Sequence, residues 1–367
     1  MRKKRIMALA FVVALLITVG CGDSGEFKAV SDGLRYAETY QIASIAEEGV
    51  FFEGKDGLVW FRPTGETEAV VLCYDPNCTH QPVSPDNPDP TCRAAMYDAR
   101  TDIAYYEGNL YFFVDDGVFS HKIYRMAVDG PGRECIAEIP YFHNVLQGVT
   151  FYEDRMYYSV YSNTREADGS ITSMPYLLEY NLKDGKYRLM TEESRDIFMT
   201  IQATENYVFL RMISNSSDSR GDVYLKRVNV NTLEDEVLIS PADYKKNSFV
   251  RAYDDDNYIY YEFYDTVGMR NISTGKDRVL IDETGNGEIG LLTASGNGIF
   301  YCLGNAETDG NPKITGYYFY DMITEKTKDI SDKGFEYGPT SYDGFSKVFI
   351  TGALHDIKLI SEDEILK

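Results

Sequence analysis

One short pattern recurs seven times along the 367 residues, and it restricts the chain to a small set of architectures. In each copy an acidic or Gly/Asn turn leads into a strand rich in aromatic and β-branched residues. The copies are Glu48-Gly49-Val50-Phe51-Phe52, Gly108-Asn109-Leu110-Tyr111-Phe112, Asp154-Arg155-Met156-Tyr157-Tyr158, Asn206-Tyr207-Val208-Phe209, Asp256-Asn257-Tyr258-Ile259-Tyr260, Gly296-Asn297-Gly298-Ile299-Phe300-Tyr301 and Asp343-Gly344-Phe345-Ser346-Lys347-Val348-Phe349. The turn residues tolerate a tight reversal, and the side chains that follow suit a pleated, packed surface. The copies start 40 to 60 residues apart, a spacing that marks repeated supersecondary units.

The remaining strands of a unit can be placed around the marker. In the fourth unit the strands are expected at Phe198 to Ala203, Tyr207 to Ile213, Asp222 to Val230 and Glu234 to Ile239. In the second they fall at Ile103 to Tyr106, Leu110 to Val114, Lys122 to Ala127 and Glu134 to Ile139. No long stretch carries apolar residues at helical spacing, which argues against a two-lobed α/β binding protein. With 30 tyrosines and one tryptophan, the aromatic content also favours strands. The expectation is an all-β fold, a β-propeller of seven four-stranded blades occupying 34–367, with six blades as the alternative. The seventh unit looks incomplete, because only Glu362 to Lys367 follow its strand at Asp356 to Ser361. An open sheet edge is a liability, so an N-terminal strand at Glu26 to Val30 is expected to close the last blade.

The N-terminus carries a different signal. Met1-Arg2-Lys3-Lys4-Arg5 precede an uncharged apolar run from Ile6 to Val19, which stops at Gly20-Cys21. A basic segment, an apolar segment and a small residue before a cut form a secretory signal peptide, here 1–20. The run is shorter than the roughly 20 residues that span a bilayer, which disfavours a permanent membrane helix. Thr18-Val19-Gly20-Cys21 resembles the lipobox of bacterial lipoproteins, with Thr18 where Leu is usual. The resemblance implies lipidation at Cys21, a short tether over 21–33, and a place on the extracytoplasmic face of the cell membrane.

Charge narrows the partners. The chain carries a net charge of −22, and all four basic residues of the signal peptide leave with it. Such an acidic surface keeps a protein soluble and repels phosphate polymers, so nucleic acid is not an expected partner.

Long insertions are expected at Cys73 to Asp98, Ser162 to Pro175, Ser214 to Gly221 and Gly304 to Lys313, in connections that open on one face of a propeller. The first holds the sharpest local chemistry: Cys73-Tyr74-Asp75-Pro76-Asn77-Cys78-Thr79-His80, with Cys92 beyond it. Cys73, Cys78, Cys92 and His80 make a Cys3His set that suits a structural zinc ion, although the spacing is not that of a standard zinc finger. Two alternatives stay open. A disulfide suits an exported protein but strands one of three clustered thiols, unless Cys135 or Cys302 pairs with it. The cysteines could also remain free.

At these residues the chain resembles a group of Gram-positive surface lipoproteins that combine a lipobox, a tyrosine-rich propeller and a Cys-x-Asp-Pro-x-Cys-x-His segment. Cys73, Asp75, Pro76, Cys78 and His80 match that segment, with Cys92 as the third cysteine. The resemblance spans most of the chain beyond the signal peptide. It implies fold and location and gives no substrate.

No phosphate loop, nucleophile elbow or His-Glu-x-x-His motif occurs, and no catalytic residue is assigned. Asp254-Asp255-Asp256 reads as a solvated turn rather than a calcium loop. His121, His143 and His355 are expected on the long-loop face, where with carboxylates they would build a metal-dependent hydrolase or lyase acting on glycans or lactones. Tyr141, Phe142, Tyr161 and Tyr176 would instead stack on a glycan or peptide. The first functional expectation is therefore a membrane-anchored binding or scaffold protein with a glycan, peptide or protein partner. The hydrolase or lyase is the alternative.

Overall fold

The computed structural model describes residues between Ala43 and Lys367, apart from scattered positions and short stretches. The longer of these stretches are 97–101, 116–119, 216–220, 241–249, 254–257, 307–311, 334–338, 344–347 and 352–357. The signal peptide, Cys21, the tether and the expected closing strand at Glu26 to Val30 lie outside the described residues.

The chain is an all-β propeller. Six four-stranded antiparallel sheets follow one another as blades 1 to 6, over 43–71, 102–140, 142–189, 197–239, 250–282 and 288–329. Within each, spatial order equals sequence order. Strand bounds match expectation closely in the two blades read in detail: blade 4 has Ile197–Ala203, Tyr207–Ile213, Val223–Asn229 and Asp235–Ile239.

The packing explains the aromatic marker. Consecutive residues of a strand point to opposite faces, and the second strand of a blade is buried on both. Tyr158 joins the apolar cluster shared with blade 2, through Ile123 and Phe113, whereas Tyr157 joins the one shared with blade 4, through Phe198 and Leu210. Phe112 and Phe113, Phe209 and Leu210, Tyr260 and Tyr261 divide in the same way between the clusters on either side. Tyr157 and Tyr158 are fully buried, each a burial worth up to about 3 kcal/mol. A doublet of large residues is therefore what a strand needs when it serves two inter-blade cores.

A second repeat closes the outer hairpins of blades 3 to 6. Asn181, Asn229, Asn271 and Asp321 end the third strands of blades 3 to 6, and each side-chain Oδ1 accepts backbone amides two or three residues on. The residue four positions later is left-handed in every case: Gly185 (φ 70°), Leu233 (63°), Gly275 (65°) and Glu325 (54°). Across the hairpins of blades 2 to 5, Arg125 faces Glu134, Glu179 faces Arg188, Arg227 faces Glu236 and Arg270 faces Asp277. All four are ion pairs.

Seven four-stranded blades were expected, and the structure corrects this to six. The C-terminal sheet, Pro339–Asp343, Val348–Thr351 and Lys358–Ser361, has three strands. The residues that would form an outer strand fold instead as a helix, Glu362–Leu366. Glu362, Asp363 and Glu364 occupy its first turn, where the helix dipole favours carboxylates. Ile365, fully buried, packs with Phe300, Cys302, Tyr317, Phe319 and Ile330 at blade 6. Apolar burial of that one side chain against an existing cluster outcompetes addition of a short, strongly acidic edge strand.

Two expected loop insertions are strands. In blade 3, Arg155–Arg165 pairs with Ile171–Asn181 along the whole length, so that Ser162 faces Met174 and Thr164 faces Thr172. In blade 6, Gly298–Ala306 pairs with Pro312–Asp321. Hydroxyl-bearing and β-branched residues sustain a ladder that needs no apolar face, and Asp168 and Gly169 close the blade 3 hairpin with Oδ1 accepting from the Ser170 amide.

Candidate metal centre

The Cys73 loop leaves the outer strand of blade 1, Val70–Val71, and is shaped by tight turns. The Cys73 amide donates back to the Val71 carbonyl at 2.7 Å. Asp75-Pro76-Asn77-Cys78 forms a β-turn: the Cys78 amide donates to the Asp75 carbonyl at 3.1 Å, and the Asn77 amide to Asp75 Oδ1 at 2.8 Å. Asp before Pro is the residue pair this turn prefers, which accounts for both between the first two cysteines. Ser84 and Asn87 exchange backbone hydrogen bonds around Pro85-Asp86. The prolines of 82–90 cut the entropy lost on ordering the segment.

The loop then returns to blade 1 as part of the core. The Val59 amide donates to the Ala94 carbonyl at 2.7 Å and the Met96 amide to the Gly57 carbonyl at 2.9 Å. Cys92, Ala94, Ala95 and Met96 are buried in the cluster that joins blades 1 and 2, beside Phe51, Ile103 and Met126. Arg133 of blade 2 donates to the Ala95 carbonyl. The insertion expected to open on one face of the propeller is thus a wedge between two blades.

These contacts bring Cys73, Cys78, His80 and Cys92 together, with one ligating atom of each inside a sphere of mutual distances no greater than 4.8 Å. Cys92 Sγ lies 3.8 Å from His80 Nδ1. A tetrahedral zinc with bonds of about 2.3 Å has ligand separations of about 3.8 Å, so the cluster is close to the spacing the ion requires. The His80 amide donates to Cys78 Sγ at 3.4 Å, and the Ala94 amide donates to the Cys92 sulfur. In both cases the donor sits two residues after the cysteine. His80 has φ 51°, a left-handed conformation rare for a residue with a side chain and concentrated at functional sites.

Burial pushes the Cys92 thiol up to about 12; the Ala94 amide opposes the rise, and Cys78 and Cys73 add to it. A thiol held that way is a poor nucleophile. A soft or borderline metal would supply the positive charge that holds the sulfurs as thiolates. The donor set of three sulfurs and one imidazole fits zinc.

No S–S bond joins the three cysteines, and Cys135 and Cys302 are also free. Neither belongs to the cluster. Cys135 is exposed in blade 2, with Sγ 3.4 Å from the Ala137 carbonyl, and Cys302 is buried with Phe300 and Tyr317 in blade 6.

Of the histidines expected on the loop face, His121 belongs to the core instead. His121 is fully buried on Ser120–Ala127, with Nδ1 3.1 Å from the Phe142 carbonyl and Nε2 2.9 Å from the Tyr158 hydroxyl. The carbonyl can only accept, so Nδ1 carries the proton and Nε2 accepts from Tyr158. His143 lies on Phe142–Tyr152, and His355 falls outside the described residues, as do Tyr141 and Asp254 to Asp256. Tyr161 is buried, and Phe142 and Tyr176 pack edge-to-face at 5.8 Å against the cluster between blades 2 and 3. Core packing, rather than an open aromatic groove, accounts for these rings. The sequence reading missed Arg93, which stands next to Cys92 and reaches blade 2; a buried arginine has no sequence signal of its own.

No family model and no curated protein sequence matches the chain. Similarity appears at the level of solved structures. An oligogalacturonate lyase from Vibrio parahaemolyticus superposes with a TM-score of 0.54 at 8% identity, over 90% of this chain and 91% of that one. A chain of a mitotic checkpoint complex gives 0.52 at 8% identity, over 88% and 90%. TolB from Acinetobacter baumannii gives 0.38 at 12% identity; the chain aligns over 80% of its own length and spans 63% of that protein. At such identities the first two likenesses speak for the propeller fold alone.

Proposed function

We propose that this protein is a lipid-anchored, extracytoplasmic propeller that acts as a binding or scaffold protein, and that Cys73, Cys78, His80 and Cys92 hold a structural zinc ion. The observation that carries the metal reading is the convergence of those four ligating atoms within 4.8 Å at the junction of blades 1 and 2. Amide donors to the Cys78 and Cys92 sulfurs support it, because metal-bound sulfurs accept such hydrogen bonds from the surrounding backbone. Four protein ligands fill a tetrahedral zinc site and leave no position for water, so the metal's role is structural rather than hydrolytic. The anchor rests on the lipobox resemblance at Cys21, and the partner, a glycan, peptide or protein, on the blade 3 and blade 6 hairpins that extend from a rigid scaffold.

The test is elemental analysis of the mature domain with thiol titration under denaturing conditions. One zinc per chain, lost in Cys78→Ser, is expected. Absence of both zinc and free thiols would turn the cluster into a disulfide staple and overturn the metal reading. Metabolic labelling with a radioactive fatty acid, abolished by Cys21→Ser, tests the anchor.

A further inference from the structure

We propose that Arg93 is the positioning residue and counter-charge of the loaded Cys73, Cys78, His80 and Cys92 centre, so that metal occupancy and the docking of blade 2 are one event. This rests on the metal reading above. Three thiolates around one divalent zinc leave a single net negative charge. The site lies against Ala94, Ala95 and Met96, all buried, where an unbalanced charge is costly. A neighbouring cation would offset that charge.

Arg93 is that cation. It follows Cys92 directly and is only 7% exposed. Its Nη2 donates to the carbonyls of Ala127 at 2.8 Å and Val128 at 3.2 Å, in the outer turn of blade 2. Its guanidinium carbon lies 5.0 Å from the centre of the Tyr74 ring. Two further nitrogens, Nε and Nη1, are buried with no hydrogen-bond partner. Leaving two donors of a permanent cation dry and unpaired is expensive, and a pair of N–H groups beside thiolate sulfurs is a strong, charge-assisted arrangement. One guanidinium thus stands beside the ring of Tyr74, the neighbour of Cys73, reaches the next blade through Nη2 and keeps two buried donors for the loaded centre, which a lysine, with a single nitrogen, cannot do.

The experiment titrates mature wild type, Arg93→Gln and Arg93→Lys with zinc against a chelator of known affinity, with circular dichroism reporting that each is folded. Arg93→Gln can still donate to the Ala127 carbonyl but carries no charge; it is expected to bind zinc about tenfold or more weakly, with Arg93→Lys falling between it and wild type. Zinc binding by Arg93→Gln as tight as by wild type overturns the proposal and leaves the metal site standing. A wild type that takes up no zinc overturns the metal reading itself. Should Arg93→Gln fail to fold, cobalt(II)-loaded wild type and Arg93→Lys are compared: a shifted sulfur-to-cobalt charge-transfer band is expected, and superposable bands overturn the proposal.

Discussion

Arg270 Nη1, in blade 5, donates to the carbonyl oxygen of Leu238 in blade 4 at 2.7 Å. Its Nε and Nη2 meanwhile grip Asp277 at 2.7 and 2.9 Å. Arg188 repeats the device, holding Glu179 with two nitrogens and reaching the Val230 carbonyl of blade 4 at 2.7 Å. A carboxylate on one hairpin strand thus aims a guanidinium at the neighbouring blade.

This arrangement predicts a pH dependence. The hydrogen bond from Arg270 holds the Asp277 carboxyl below its usual range, and the positive charge adds to that effect. A folded value below the unfolded one, about 3.9, means the stabilisation is present above that pH and is lost as pH falls through the depressed value. Asp277 is partly exposed, so the ion pair is worth about 1 kcal/mol at most. Urea midpoints of Arg270→Met should lie below wild type at neutral pH, with a smaller gap near pH 2. A gap of constant size would count against the pair.

Gly148 sits at φ 88°, and a Cβ there would stand 2.2 Å from the Thr200 carbonyl oxygen in the next blade. Thr200 Oγ1 also donates to the Gly148 carbonyl, so neither strand can withdraw freely. Gly148→Ala is expected to cost about 2 kcal/mol or more, from strain and lost inter-blade contact together. Chemical denaturation measures it, and a loss under half that size would show that the junction yields.

Leu233 occupies the left-handed position that Gly185 and Gly275 fill in the equivalent turns. Leu233→Gly should relieve about 1 kcal/mol of backbone strain, partly offset by greater freedom in the unfolded chain. Gly275→Ala should destabilise by a similar amount. Thermal midpoints moving in the same direction for both would refute the shared turn geometry.

Tyr158 is buried, and burial raises its hydroxyl pKa well above the usual value, which keeps it a donor to His121. Tyr158→Phe leaves His121 Nε2 buried without that proton and should cost about 1 to 3 kcal/mol. Equilibrium unfolding of Tyr158→Phe measures the loss, and a change below about 0.5 kcal/mol would count against the hydrogen bond.

Metal removal should act locally first. Chelation of the mature domain is expected to admit protease within 73–96 before any cut inside blades 3 to 6. Simultaneous cleavage throughout would mean that the wedge does not depend on the ion.

Much of this was legible in the sequence, for reasons particular residues make plain. Tyr157-Tyr158 and Phe112-Phe113 advertise a strand buried on both faces, and Lys183-Asp184-Gly185 and Ser273-Thr274-Gly275 mark turns whose backbone needs glycine. The four members of the Cys3His set were picked by donor chemistry and stand together in space. Other features were hidden. Ser162 to Arg165 look like loop residues because their pairing is satisfied by backbone and hydroxyl groups rather than by apolar contact. Ile365 gives no sign that it would leave the last sheet for blade 6, since that choice depends on a cluster formed by residues up to 65 positions earlier. His121 is polar by type and buried by partnership, which composition cannot reveal.

Strand order within every blade follows chain order, so each pairing joins neighbours in sequence. Closing such hairpins takes microseconds, whereas the aromatic doublets become useful only when the adjacent blade is present. Folding is therefore a problem of stacking preformed ribbons, and its slow step is the expulsion of water between them rather than the search for register. Hydrogen exchange during refolding should then protect the turns after Asn181, Asn229 and Asn271 while Tyr157, Tyr158 and Tyr260 still quench like solvent-facing rings.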